Sequence, residues 1–91
     1  MPTRAKPRRK KGQIHSYTVV FEPAAEGGYN VVVPAIPEIC TFGGTLAEAR
    51  LMAGDAIHCY LESVARDHEA VPRDIRRVPR ITRLSVKLQP A

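Results

Sequence analysis

The sequence has no long run of apolar residues. No segment approaches the roughly 18 consecutive apolar residues that a membrane-spanning helix requires, and the N-terminus lacks the apolar core of a signal peptide. Cysteine is also scarce, with only Cys40 and Cys59 in the chain. We therefore predict a cytoplasmic protein with free thiols, although a disulfide between the two cysteines remains open at this point because their distance is unknown.

The motifs of the common enzyme classes are missing as well. The three histidines fall on separate predicted elements, which is not a metal-ligand pattern. Neither Gly27-Gly28 nor Gly43-Gly44 has the spacing of a phosphate-binding loop, and no nucleophile or zinc-protease motif is present. Glu22 and Glu48 remain as candidates for holding Mg²⁺, but the predicted fourth strand offers no third acid. We predict no catalytic residue, no metal site and no cofactor.

The 91 residues make one small domain, close to the lower limit of size for independent stability. Association with a second copy or with another protein is therefore expected, and we predict a homodimer or a higher oligomer. The domain should cover residues 14–91, preceded by a basic tail at residues 1–13.

The net charge of +5 is unevenly distributed along the chain. Residues 1–11 carry six cations and no acid, residues 12–68 carry two cations and seven acids, and residues 69–91 carry six cations and two acids. The three segments thus contribute +6, −5 and +4. An acidic body is predicted between two basic segments.

The basic tail contains two prolines and no large apolar residue after Met1, so we predict that it is disordered. Its cations can contact phosphates of a nucleic acid, or they can simply keep the protein soluble. No aromatic residue is interleaved with them, which favours the second interpretation. The candidate contacts with nucleic acid are Arg4, Lys6, Arg8, Arg9, Lys10 and Lys11 in the tail, together with Arg76 and Arg77 near the C-terminus.

The middle of the chain is organised around residues 34–49. Before this stretch, residues 16–22 and 29–33 alternate apolar and polar side chains, which predicts a β-hairpin closed by Gly27-Gly28. A short third strand is predicted at residues 39–42. Gly43-Gly44 is interpreted as a flexible or positive-φ turn, and Thr45 with Glu48 as a capping box that starts a helix.

The helix is predicted to run from about Leu46 to Asp67, with one apolar face on the sheet. That face comprises Leu46, Ala49, Ala53, Ala56, Ile57, Tyr60, Leu61 and Val64. On the opposite side lie Glu48, Asp55 and Glu62, spaced seven residues apart. They are our candidate partner-binding residues, although a solvated helix face explains the same pattern.

Pro72 ends the helical pattern, and residues 81–88 alternate again, with Leu84, Val86 and Leu88 on one side. This predicts a fourth strand that returns to the sheet after a long connection. The predicted fold is α+β, in the order β-β-β-α-β, with a small mostly antiparallel sheet and one helix packed on one face.

These elements together resemble the HicB-like antitoxin family over residues 17 to about 72. The resemblance is carried by the first strand at residues 17–22, the hairpin return at residues 27–34 and an ordered set of single positions. Those positions are Pro37, Thr41, Gly43, Thr45, Glu48, Ala49, Ala56, Ile57, Tyr60 and Leu61. Two family patterns are altered, since Pro-Gly-Cys is replaced by residues 37–39 and Gly-Asp-Thr by residues 43–45.

The resemblance implies a degenerate ribonuclease-H-like sheet without catalytic acids. It also implies a partner, a small basic HicA-like toxin that cuts mRNA and whose active site the antitoxin masks. The C-terminal DNA-binding module of many such antitoxins is expected to be absent from this chain. The alternative is a stand-alone nucleic-acid-binding protein that acts through the basic tail and the segment Arg73–Arg83.

Overall fold

A computed structural model describes residues 13–90, in which three strands are followed by one helix. They are β1 (Val20–Pro23), β2 (Tyr29–Val32), β3 (Cys40–Gly43) and α1 (Leu46–Arg66). The strands form one antiparallel sheet in the order β1-β2-β3, and α1 lies across β2 and β3. The predicted α+β fold is confirmed for the β-β-β-α part of the chain.

The hairpin between β1 and β2 is closed by the two glycines that the sequence indicated. Gly27 and Gly28 have φ angles of 107° and 78°, a conformation that side chains other than hydrogen rarely allow. The N–H of Ala24 donates to the carbonyl oxygen of Gly28 at 3.0 Å. This turn sets the register in which Phe21 stands opposite Val31.

The connection between β2 and β3 folds back through two successive turns. The N–H of Ile36 donates to the Val33 carbonyl at 2.8 Å, and the N–H of Ile39 donates to the Ile36 carbonyl at 3.0 Å. All three side chains are buried in one cluster. The prolines at positions 34 and 37 lack N–H donors and lie exposed in these turns, where no ladder bond is lost.

The predicted capping box at the start of α1 is confirmed for the Thr45 side chain, whereas the Glu48 side chain bonds to a different N–H. The N–H of Glu48 donates to Oγ1 of Thr45 at 3.0 Å, and the Glu48 carboxylate accepts from the N–H of Gly44 at 2.8 Å. The carboxylate thus reaches one residue before the cap residue itself. Both bonds satisfy backbone donors that have no partner within the helix.

Gly43 has a different role from the predicted one. Of the glycines in residues 13–90, only Gly27 and Gly28 have positive φ, so the positive-φ alternative for Gly43-Gly44 is wrong. A Cβ atom at Gly43 would instead collide with the backbone N and Cα of Ala49. Gly43 is needed because the end of β3 packs directly against the first turns of α1.

The core lies between the sheet and α1 in two clusters. Val31 packs with Ala49 and Ala53, and the β2–β3 connection packs with half-buried side chains in the middle of α1. The predicted apolar helix face is confirmed at Ala49, Ala53 and Val64, which are buried. Leu46 is an exception, because its position at the helix start leaves it 47% exposed.

The predicted fourth strand is absent from the part of the chain that the structure describes. Residues 81–88 have no regular structure, and Leu84, Val86 and Leu88 are 81%, 87% and 91% exposed. The alternating pattern is present, but a strand also needs backbone partners and a surface for its apolar side. Within residues 13–90 this segment has neither, so the strand prediction is wrong for the single chain.

Two glycine substitutions should have opposite effects on stability. Gly43→Ala should lower the free energy of unfolding by about 1–3 kcal/mol, because β3 must move away from the helix backbone. Gly54→Ala is the matched control, since a Cβ there meets nothing within 4 Å. It should raise the free energy of unfolding by about 0.5–1 kcal/mol through helix propensity. Urea denaturation followed by circular dichroism measures both, and equal effects would contradict the proposed packing role of Gly43.

Candidate partner-binding surfaces

The three carboxylates singled out in the sequence all lie exposed on α1 and define an acidic stripe: Glu48, Asp55 and Glu62. Because a helix rises 1.5 Å per residue, successive members are separated by about 10 Å along its axis. Such a row can face a cationic surface of a partner that is long enough to span two or more of its members.

The members of the acidic stripe differ in their local partners. Glu48 is held by the cap at Gly44 and Thr45. Oε2 of Glu62 lies 3.3 Å from Nε2 of His58, with both side chains 65% exposed. Asp55 makes no side-chain hydrogen bond or ion pair to any residue of 13–90. Asp55 and Glu62 are therefore the two carboxylates best placed to meet a partner.

A second surface is an open groove between α1 and the β1 side of the sheet, called here the edge groove. It consists of two adjoining cavities of about 530 and 340 Å³ that share Tyr17, Gly54 and Ile57. The inner part is also lined by Val19, Phe21, Ala53 and Arg50, whereas Ile14 and Leu61 belong to the outer part. The lining is mainly apolar, and Glu62 of the acidic stripe lies at its rim.

The sheet beside the edge groove ends in β1, whose outer edge pairs with no strand of residues 13–90. Val20 is paired with Val32, and Glu22 with Asn30. The bond from Ala24 to Gly28 lies in the same register, so these alternate pairs are the hydrogen-bonded pairs of the ladder. In an antiparallel ladder, the N–H and C=O of the intervening residue then point away from the partner strand. The backbone groups of Phe21 therefore point to the open edge of β1, where no strand from residues 13–90 is paired.

Residues 72–74 are anchored next to the start of β1. The hydroxyl of Tyr17 donates to the carbonyl oxygen of Pro72 at 2.6 Å. The N–H and hydroxyl of Thr18 donate to the two carboxylate oxygens of Asp74 at 2.9 and 2.8 Å. These bonds, chiefly that from the Thr18 N–H, hold the pKa of Asp74 below its ordinary value.

This anchor was not predicted from the sequence. Thr18 and Asp74 are 56 positions apart, and neither belongs to a motif. The only local signal is Pro72, which was interpreted as the end of the helical pattern. The edge groove was not predicted either, because residues 13–21 and residues of α1, which are far apart in the sequence, line it together.

A contact on the other flank of α1 joins the helix to the β2–β3 connection. The hydroxyl of Tyr60 donates to Oε2 of Glu38 at 3.3 Å. Desolvation, reinforced by the negative charge of Glu38, raises the pKa of Tyr60. Tyr60 stays neutral in the physiological range and acts as a hydrogen-bond donor at this position.

The basic candidates divide into two groups. Arg76 and Arg77 are exposed just after the anchor, so both guanidinium groups are accessible to a partner. The cations of the tail, Arg4, Lys6, Arg8, Arg9, Lys10 and Lys11, lie outside the described residues, and their predicted role stays a prediction. The same holds for the proposed boundary between the tail and the domain.

The cysteines, the possible metal ligands and the hydropathy of α1 bear on the other predictions. Cys40 and Cys59 are free thiols, as predicted, and both are exposed. Across residues 13–90, no group of three or more His, Cys, Asp and Glu side chains is placed to hold a metal ion. The helix in this part of the chain lacks the apolar length needed to cross a bilayer.

Comparison with known proteins relates this architecture to a defined family. The family model described as the HicB-like antitoxin of bacterial toxin–antitoxin systems matches residues 17–83, which include the anchor. A UPF0150 protein of Synechocystis is 36% identical over 62 residues, covering 68% of this chain and 78% of that protein.

Two relatives carry the antitoxin name. Antitoxin HicB 1 of Photorhabdus laumondii is 46% identical over 56 residues, and Antitoxin HicB of Escherichia coli K12 is 43% identical over 56 residues. Each match covers 62% of this chain but only 36% and 41% of those proteins. The chain therefore corresponds to less than half of the length of the two named antitoxins.

The anchor should respond to acid. Because the pKa of Asp74 in the folded protein lies below the ordinary value of 3.8, the anchor contributes stability above that pH. This contribution should be lost as the pH falls through the lowered pKa. The amide signal of Thr18 in NMR spectra should report the loss, and Asp74→Asn should abolish its pH dependence. Glu26→Gln, in the β1–β2 turn, is the control and should leave the Thr18 titration unchanged.

Proposed function

Because this chain belongs to the HicB-like antitoxin family of bacterial toxin–antitoxin systems, we propose that it neutralises a small basic HicA-like toxin that cuts mRNA. It would do so by binding the toxin and covering its active site. The antitoxin itself has no catalytic activity. Since such a toxin acts on mRNA, the encounter would take place in the cytoplasm.

The observation that best supports this proposal is the exposed acidic stripe on a body with an excess of acids. Residues 12–68 carry a net charge of −5, and the carboxylates of Asp55 and Glu62 stand free of the core. A protein that binds RNA presents a cationic surface, which this face complements in sign. Attraction between the two surfaces would speed their association at low ionic strength.

The stripe also has a rigid support. The cap at Thr45 fixes the start of α1, while Ala49 and Ala53 bury the opposite face against β2. The carboxylates therefore project from a helix that does not need to be ordered upon binding. A preformed surface loses less conformational entropy when it binds, which favours a stable complex.

Charge reversal in the acidic stripe tests the proposal. The double variant Asp55→Lys/Glu62→Lys should weaken binding of the basic protein encoded beside this gene by about 10-fold or more, because each lost charge contact contributes on the order of 1 kcal/mol. Isothermal titration calorimetry at two salt concentrations measures the affinity. The loss should be larger at low salt, and growth rescue upon co-expression should fail.

Glu26→Lys is the control for this experiment, since it changes one exposed acid in the β1–β2 turn. It should bind the toxin nearly as tightly as the unmodified chain does. Glu48 is left unchanged because its carboxylate also accepts a hydrogen bond from the Gly44 N–H at the helix start. Undiminished binding by the double variant would exclude the acidic stripe as the contact, and absence of any complex with the unmodified chain would exclude the antitoxin role.

The exposed Arg76 and Arg77 support the alternative, a protein that binds nucleic acid on its own. In that case the unmodified chain should bind RNA or DNA without any toxin, with an affinity that falls steeply as salt is raised. The double variant Arg76→Ala/Arg77→Ala should weaken this binding. It should also make the dependence of log affinity on log salt concentration less steep, by up to about the amount that two phosphate contacts contribute. Filter binding at several salt concentrations measures both quantities, with Arg50→Ala on α1 as the control.

A further inference from the structure

The segment at residues 81–88, called here the C-terminal arm, has the pattern of a strand but lies bare. All residues from 76 to 90 are exposed. On one side of the arm stand Leu84, Val86 and Leu88, and on the other stand Arg83, Ser85 and Lys87. The three apolar side chains are between 81% and 91% exposed. Three alternate apolar residues at such exposure indicate a surface that is covered in the assembled protein.

The domain offers a place of matching chemistry at the open edge of β1. The backbone N–H and C=O of Phe21 face outward there, and an added strand can pair with them. Directly beside this edge, the inner part of the edge groove has a volume of about 340 Å³. Val19, Phe21 and Ile57 in its lining suit the apolar side of the arm, and Arg50 lines the same part of the groove.

The two faces of the arm match the two faces of the sheet at this edge. Phe21 faces the helix, as shown by its packing with the cluster of Val31 and Ala49. Its neighbour Glu22 therefore faces the opposite side of the sheet, where it is exposed. If Leu84 and Val86 enter the edge groove, the cations of the arm lie on the same side as Glu22. Unlike charges on adjacent strands stabilise the pairing.

The course of the chain after Asp74 favours pairing of the arm with β1 of another molecule. The anchor at Asp74 fixes residues 72–74 beside Thr18, but from Arg76 onward the chain is exposed and does not pack on its own β1. A second copy presents the same groove and the same arm. If two copies related by a two-fold axis each place their arm in the groove of the other, both grooves are filled and both arms are paired.

We propose that residues 81–88 of one copy add as a fourth strand to the open edge of β1 in a second copy. The exchange is reciprocal and forms a closed dimer in which each edge groove receives the apolar side of the partner's arm. This proposal explains the strand-like pattern of the arm together with its exposure in the single chain. The proposal stands whether or not the chain is an antitoxin.

The mass of the full chain in solution tests the proposal first. Light scattering after size-exclusion chromatography should give twice the 10.1 kDa of the single chain. Leu84→Asp/Val86→Asp should reduce this to the mass of one chain, whereas Ser85→Asp, on the polar side of the arm, should remain a dimer. Circular dichroism checks that α1 is intact in each variant. A monomeric unmodified chain, or a dimer unaffected by Leu84→Asp/Val86→Asp, would overturn the proposal.

Disulfide trapping then distinguishes exchange from a strand that folds back within its own chain. In a background of Cys40→Ser/Cys59→Ser, a chain with Glu22→Cys is mixed with a chain carrying either Arg83→Cys or Lys87→Cys. Exchange predicts a crosslink between the two different chains for at least one of the two positions. Crosslinking only when both substitutions are in one chain, with no link between chains, would show that the arm folds back and would overturn the exchange.

Discussion

The close approach between the end of β3 and the first turns of α1 determines the layout of the domain. Gly43 allows the sheet to lie against the backbone of Ala49, and the cap at Thr45 turns the chain into the helix at that point. A helix that starts so close to the sheet must bury small residues, and Ala49 and Ala53 are those residues. Once this face is fixed, the directions of all other side chains of α1 follow from the helical period.

Two surfaces follow from that single orientation. The acidic stripe points away from the sheet, and the flank with Gly54, Ile57 and Leu61 overhangs the β1 edge and forms the edge groove. Glu62, paired with His58, belongs to the stripe and also to the rim of the groove. Charge at this position therefore borders both surfaces, and binding at one surface is expected to influence the other. Measuring the mass of the Glu62 variants separates the two effects.

Features determined by neighbouring residues were predictable from the sequence, and features that join distant segments were not. The hairpin, the capping box and the end of α1 at Arg66 depend on residues within a few positions of one another. Gly43 ends β3 and does not belong to a turn, and its constraint comes from contact with the helix and not from φ. The predicted partner site on the acidic stripe is exposed, whereas the edge groove and the anchor at Asp74 had no signal in the sequence.

The fourth strand shows how an alternating pattern should be interpreted. Alternation of apolar and polar residues indicates that a segment can lie with one side buried. It does not indicate whether the surface that covers this side belongs to the same chain or to another molecule. In the single chain, the arm beyond the anchor has an apolar side without a cover, and β1 has an edge and a groove without a strand. The apolar side of the arm fits the groove, and the backbone of the arm can pair with the open edge of β1. A small domain with few buried side chains gains most from joining them, because the surface buried between copies adds to a core that is otherwise close to the minimum for stability.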